Sequence, residues 1–241
     1  MQNYDLFFLT ESDRIDEKQI TLNSSDVHHI VTVFRKKSGD RIEISDGQFK
    51  RYTCRIVMAD KKQIVLEIES IELIQKKLPQ IKLCNALLKG SNFDLQLEKS
   101  VELGATEFQP LITDNIQANK SKVGKWRDVI LKASKQAKQY QLPVIYEPTK
   151  LRQMKRKEKE LWIVPELGVD TRDLSFSDFE SIHTICIFIG PEGGFSKAEV
   201  DFFHSNHAVF ISLGDLRLRA ETAAWSALIQ VQHVLKQVRI Q

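Results

Sequence analysis

Two short stretches hold the side chains best suited to chemistry. "GPEGGFS" (Gly190–Ser196) and "LGDLRLRAETAA" (Leu213–Ala224) each follow an apolar run and each lead into a helical pattern. The second sets Arg217 and Arg219 on either side of Leu218, and Glu221 then opens an Ala-rich helix. A third loop of unusual composition, "PELG" (Pro165–Gly168), also closes an apolar run. In an open α/β sheet, ligands favour loops at the carboxyl ends of strands. The residues therefore predict a strand-end pocket with backbone donors, the Arg219 cation and a carboxylate. For Glu221 the plain structural role is complementing the helix dipole in the first turn.

Several familiar chemistries are excluded by spacing. A phosphate-cradling P-loop needs G-x-x-x-x-G-K-[ST], but Phe195 and Ser196 stand where its second glycine and lysine belong. The dinucleotide fingerprint G-x-G-x-x-G fails because Pro191 and Glu192 separate Gly190 from Gly193. Glu192 would also repel a pyrophosphate. Ser196 is not in a G-x-S-x-G elbow, so it is no hydrolase nucleophile. It reads instead as a helix cap, with Glu199 three residues on completing a capping box. His28 and His29 adjoin each other without a nearby cysteine or paired carboxylate, and no metal site is expected. Cys54, Cys84 and Cys186 lack metal-ligand spacing and read as buried thiols.

The elements that must position these loops follow from periodicity. Up to about residue 72 the chain reads mainly as antiparallel strands. Asp46-Gly47 signals a hairpin; Tyr52, Cys54, Ile56 and Met58 alternate with more polar neighbours, as do Ile64, Leu66 and Ile68. Val27, Ile30, Val31 and Phe34 fall at helical spacing after a Ser24 or Ser25 cap. From about Ile74 the pattern becomes strand–helix alternation. "LPQIKLCNALL" precedes a helix through Phe93, Leu97 and Val101, stopped at Gly104. Phe108–Ile112, a helix through Trp126, Ile130, Ala133 and Ala137, then "PVIY", "LWIV", "HTICIFI" and "AVFISL" complete the series. Continuous apolar strands between helices predict an α/β fold with a mostly parallel sheet covered on both faces. The boundary falls near Glu72–Pro79, giving domains 1–72 and 73–241.

Composition sets the remaining bounds. The 241-residue chain, 42% hydrophobic and 28% charged, has room for two small domains. It has no continuous apolar stretch of membrane-spanning length, and "MQNYDLFFLTESD" is not a signal peptide. Cytoplasmic location and no membrane partner are the expectations. The net charge of +3 is small, but Ala118–Tyr140 holds six lysines and one arginine against one aspartate. Lys150–Glu160 is basic too; solvated helix faces or a polyanion surface both fit.

Taken together, "IGPEGGFSKAE" and "LGDLRLRAETAA" resemble the signature pair of the ribosomal RNA small-subunit methyltransferase E family, of the SPOUT superfamily. "HHIVTVFRKKSGD" (His28–Asp40), "LLKG" (Leu87–Gly90), "LEKSVELGATEFQPLIT" (Leu97–Thr113), Lys125-Trp126 and "KQAKQYQLP" (Lys135–Pro143) fit in order and spacing. The resemblance spans nearly the whole chain. It implies a PUA-like β domain followed by an α/β trefoil-knot domain, a homodimer, S-adenosylmethionine (SAM) as methyl donor, and N3 of a uridine in 16S rRNA of the small ribosomal subunit as acceptor. The chain departs from the usual family pattern at Ser91-Asn92, Asp114-Asn115-Ile116, Gln139, Leu216-Arg217 and Ala220.

The resemblance also gives the residues roles. Ile189, Leu213 and Leu218 become apolar walls for the adenosyl group, while Gly190, Gly193, Gly194 and Gly214 let backbone approach it. SAM has no phosphate, which accounts for the missing lysine. Arg219 becomes the positive group stabilising charge on the uracil oxygens, and Glu221 either a base or the residue that orients Arg219. His28, Arg35 and Lys125 become RNA contacts. Another SPOUT methyltransferase, acting on a different RNA position or on a ribose hydroxyl, stays open. So does a non-catalytic RNA-binding or ribosome-assembly protein of the same fold.

Overall fold

The computed structural model describes residues 4–76, 78–87, 92–115 and 122–238. Lys89, Gly90, Ser91 and Ile116, singled out above, lie outside the described residues. The chain divides into two compact units: Met1–Lys76 with Ser134–Leu142, and Lys77–Ala133 with Pro143–Gln241.

The first unit is a six-stranded sheet, in the order β1-β4-β5-β6-β3-β2. Its strands are β1 (Leu6–Phe8), β2 (Arg14–Ile15), β3 (Gln19–Leu22), β4 (Arg41–Ser45), β5 (Lys50–Ala59) and β6 (Ile64–Leu73). β1 runs parallel to β4, and the other pairings are antiparallel. The β4–β5 turn forms at Asp46-Gly47 because the Asp46 carboxylate accepts the N–H groups of Gln48, Phe49 and Lys50. Alternation buries Tyr52, Cys54 and Ile56 as expected, but Met58 is exposed. Register slips between Ile56 and Met58, and the extra residue reverses the inward face.

The short helix α1 (Asp26–His28) passes into a π-helical turn, His29–Val33. Val27 and Ile30 are buried under the sheet cluster, whereas Phe34 lies past the turn and is exposed. The segment Ser134–Leu142 completes this unit. Lys135 pairs with Asp26 at 2.6 Å, the Tyr140 hydroxyl donates to Glu43 at 2.7 Å, and the Leu142 N–H donates to the Gly47 carbonyl at 2.8 Å.

In the second unit β7 (Gln80–Ala86), β8 (Glu107–Ile112), β9 (Val144–Ile145), β10 (Thr149–Lys150), β11 (Glu160–Pro165), β12 (Thr184–Ile189) and β13 (Val209–Ile211) form one sheet. The order is β10-β8-β7-β12-β11-β13, with β9 also on β8. Each of these pairings is parallel. Among the described residues, helices α2 (Asn92–Glu102), α4 (Lys197–Ser205) and α5 (Ala220–Val238) belong to this unit, as does α3 (Val123–Ala137) up to Ala133. Phe93, Leu97 and Val101 of α2 and Trp126, Ile130 and Ala133 of α3 are buried, while Ala137 is exposed.

Cys84, Trp162, Cys186 and Phe188 share a core cluster with Phe203 of α4. All three cysteines are free and buried. α5 packs on α2 and on β12. The expected α/β class with a preceding β domain holds, and no described helix is long and apolar enough to cross a membrane.

Candidate active site

The strand order reverses direction at β7 and β12, and β12, β11 and β13 lie side by side. Their carboxyl ends open a cleft of about 330 Å³. It is lined by Pro165–Leu167 after β11, Ile189–Phe195 after β12, and residues from Leu213 to Ala223 after β13. The three loops picked out by composition therefore meet at one place, at the carboxyl ends of three neighbouring parallel strands. Ile189, Gly190, Gly193, Gly194, Leu213, Gly214 and Leu218 all line this cleft.

The glycine turn is held from several sides. Gly194 closes it by donating its N–H to the Pro191 carbonyl at 2.9 Å, with φ +73°. Gly214 takes φ +112° on the facing loop; side chains rarely tolerate either conformation. Arg217 reaches across from that loop and donates to the Glu192 carbonyl at 2.6 Å. Asn115, just past β8, donates its amide to the Gly194 carbonyl at 3.1 Å.

Helix α4 begins immediately after the turn, and its cap has the predicted form. Ser196 Oγ accepts the Glu199 N–H at 3.2 Å, while Glu199 Oε2 accepts the Ser196 N–H at 2.8 Å. Glu199 is 1% exposed, and its other oxygen accepts the Asp114 N–H at 2.9 Å. Asp114 also accepts from Ser196 Oγ and pairs with Arg152. Those two contacts, Ser196 first, hold its carboxyl below the usual range.

Glu166, like Glu192 and Arg217, is a charged residue of the cleft to which the sequence assigned no role. It is half-buried, accepts the Leu167 N–H at 3.1 Å, and forms no ion pair among the described residues. Burial pushes its carboxyl up; the N–H groups of Leu167 and Phe195 and the charge of Arg217 pull more weakly the other way. The only signal in the sequence was its place in "PELG" at a strand end. Arg217 and Asn115 were likewise visible as residues but not as clamps, because each acts on a turn distant in sequence.

The predicted reactive pair is placed differently from the cofactor set. Arg219 is exposed at the start of α5, where its carbonyl accepts the Ala223 N–H at 2.8 Å. Glu221, in the first turn of α5, is 9% exposed. No ion pair joins the two among the described residues, and neither side chain lines the cleft itself. Gln96 of α2, fully buried, donates its amide to the Ala220 carbonyl between them at 3.3 Å.

Of the predicted RNA contacts, His28 and Arg35 are exposed on the first unit, Arg35 with φ +53°. Lys125 is exposed on the second unit and paired with Asp94 of α2. Among the described residues no group of three or more His, Cys, Asp or Glu could hold a metal ion.

A parallel sheet with a cleft at its strands' carboxyl ends, joined in sequence to a small β unit, matches a known class of RNA-modifying proteins. Residues 75–232 match the RNA methyltransferase domain and residues 22–69 the RNA methyltransferase PUA domain. The chain belongs to this RNA methyltransferase family.

Within that class it is similar to proteins named ribosomal RNA small subunit methyltransferase E. The Synechocystis protein is 28% identical, with 93% of this chain and 76% of that protein aligned. The Bacillus subtilis protein is 24% identical over 99% of both. Among solved structures, the enzyme of that name from Neisseria gonorrhoeae superposes with TM-score 0.84, covering 96% of this chain and 98% of that one at 24% identity. A Legionella pneumophila protein, in complex with the bound cofactor SAM, superposes with TM-score 0.80 at 26% identity, over 96% and 98% of the two chains.

Proposed function

We propose that this protein is a SAM-dependent methyltransferase that modifies N3 of a uridine in 16S rRNA of the small ribosomal subunit. The observation that carries this reading is the convergence of three strand-end loops on one cleft, with Arg219 and Glu221 on the helix that leaves it. The residues present suit the cofactor. Ile189, Leu213 and Leu218 offer apolar surface, Gly194 and Gly214 bring bare backbone to the wall, and Glu166 supplies a carboxylate without an ion-pair partner among the described residues. When bound, SAM supplies a methyl group on a sulfonium, so that N3 gains a bond to carbon as the sulfur keeps the electrons of the bond it loses.

This chain's own residues must hold the donor in line and deal with the N3 proton. Arg219, free of any side-chain partner among the described residues, is assigned to the negative charge that spreads onto the uracil oxygens. Glu221 either takes the proton or helps to orient Arg219. Glu221→Gln separates these: loss of the acid limb of the pH–rate profile assigns the proton, and an unchanged limb assigns orientation.

The reading extends to the rest of the chain. Residues 1–72 are assigned to RNA binding, with His28 and Arg35, and residues 73–241 to catalysis in a knotted domain, with Lys125 exchanging its Asp94 contact for a phosphate. A cytoplasmic homodimer belongs to the same proposal.

The test is transfer of labelled methyl from SAM to isolated small ribosomal subunits, followed by digestion to nucleosides. Label at uridine N3 supports the assignment. Label on ribose points to another RNA site, and SAM binding without transfer points to a non-catalytic assembly role. Arg219→Ala is expected to abolish transfer while SAM affinity stays within about twofold; near-normal turnover refutes its role.

A further inference from the structure

We infer that Glu166 is the specificity-determining residue by which this cleft distinguishes the positively charged methyl donor from its uncharged-sulfur product. The inference rests on the SAM reading above and deepens it. Donor and product differ at one sulfur, which carries a methyl group and a positive charge before transfer and neither afterwards. A sulfonium offers no N–H or O–H to donate, so a protein can favour it only through fixed negative charge or dipoles at short range.

Glu166 meets that requirement on geometric grounds. It lies at the end of β11, between the loops that follow β12 and β13, and it lines the cleft. Its Oε1 is held by the Leu167 N–H at 3.1 Å and stands 3.9 Å from where a Cβ on Gly194 would lie. The carboxylate therefore faces the bare backbone of the glycine turn. Arg217, whose charge reaches Glu166, forms no ion pair with it among the described residues and donates to the Glu192 carbonyl.

The surroundings make that charge count. Ile189, Leu213 and Leu218 line the same cleft, and an apolar wall strengthens electrostatic attraction by displacing water. A half-buried carboxylate with no ion pair among the described residues raises the energy of the empty cleft, and burial pushes its proton affinity up more than Arg217 pulls it down. A cationic ligand relieves this cost, whereas the neutral-sulfur product relieves less of it. Release of product is then built into the same contact, since methyl transfer removes the charge that held the ligand.

The test is calorimetric binding to the full-length protein of three ligands: SAM, S-adenosylhomocysteine, and an analogue carrying an amine in place of the methylsulfonium. Glu166→Gln is expected to weaken SAM and the amine analogue by about tenfold, the scale of one charge-assisted contact. S-adenosylhomocysteine should change by less than about twofold, a shift too small for a lost ionic contact. Glu166→Asp keeps the charge and should keep the donor-to-product preference.

Equal weakening of all three ligands by Glu166→Gln would assign Glu166 to the shared adenosyl or amino-acid parts and overturn the inference. No weakening of any, or loss of the preference in Glu166→Asp, overturns it as well. If the wild-type protein binds none of the three, the cofactor reading falls and takes this inference with it. Discrimination by charge that is lost in Glu166→Gln supports both.

Discussion

Replacing Glu199 with alanine tests whether the glycine turn and α4 depend on one buried carboxylate. Glu199 is 1% exposed and accepts two backbone N–H groups, from Ser196 at 2.8 Å and Asp114 at 2.9 Å. Alanine leaves both donors without an acceptor, at about 1–3 kcal/mol for each buried group. Both contacts are part-buried, so the lower half of that range applies and the sum is about 2–4 kcal/mol. At roughly 2–4 °C per kcal/mol for a unit of this size, melting should fall by about 4–16 °C. Urea unfolding followed by tryptophan fluorescence reads the effect in the correct place, because Trp126, Trp162 and Trp225 all belong to the second unit. Glu199→Gln keeps one acceptor oxygen and should lose about half as much. A loss below about 0.5 kcal/mol in Glu199→Ala, the level of an ordinary surface substitution, refutes the reasoning.

Two further predictions concern separate contacts. Arg217→Ala removes the donor that holds the Glu192 carbonyl. Calorimetry should show SAM affinity reduced by about tenfold, with melting shifted by less than about 3 °C, since Arg217 is exposed. The second is a pH dependence. Arg172 and then burial-opposed backbone and Ser175 contacts hold the Asp178 carboxyl down to about 2, from 3.8. A depressed carboxyl stabilises the folded state above its unfolded value and loses that contribution as pH falls from about 4 to about 2. Arg172 is half exposed, so the contribution is on the order of 1 kcal/mol. Acid titration of Asp178→Asn should lack that step, and an unchanged acid limb would count against it.

Local features were the legible ones. The spacing of Phe93, Leu97 and Val101 placed α2, and Ser196 with Glu199 announced the capping box, because both devices act within one or two helical turns. The cleft was legible as three strand-end loops of odd composition. What lay beyond the sequence were contacts between distant segments. Arg217 clamps a carbonyl 25 residues away, and Asn115 bonds a residue 79 positions on. Nothing about either residue type encodes that choice. Met58 followed the alternation of its strand and still ended outside, because a bulge inserts one residue without a sequence mark of its own. Glu166 was hidden for a different reason: a single glutamate at a strand end is common, and only its surroundings in the folded cleft set it apart.

The place of Ser134–Leu142 in the first unit bears on how the protein is made. Glu43 on β4 bonds Tyr140, 97 positions later, although the last strand of that sheet ends at Leu73. On a translating ribosome, adding roughly 5–20 residues per second, the emerging sheet waits several seconds for its closing segment. During that interval the Glu43 carboxylate, already in the middle of a forming sheet, has no phenol to bond. Long closure distances slow folding because chain entropy must be lost before the contact compensates for it. A fragment ending at the sheet's last strand is accordingly an unfinished domain, and nascent-chain length, rather than strand content, decides when this N-terminal half becomes resistant to protease.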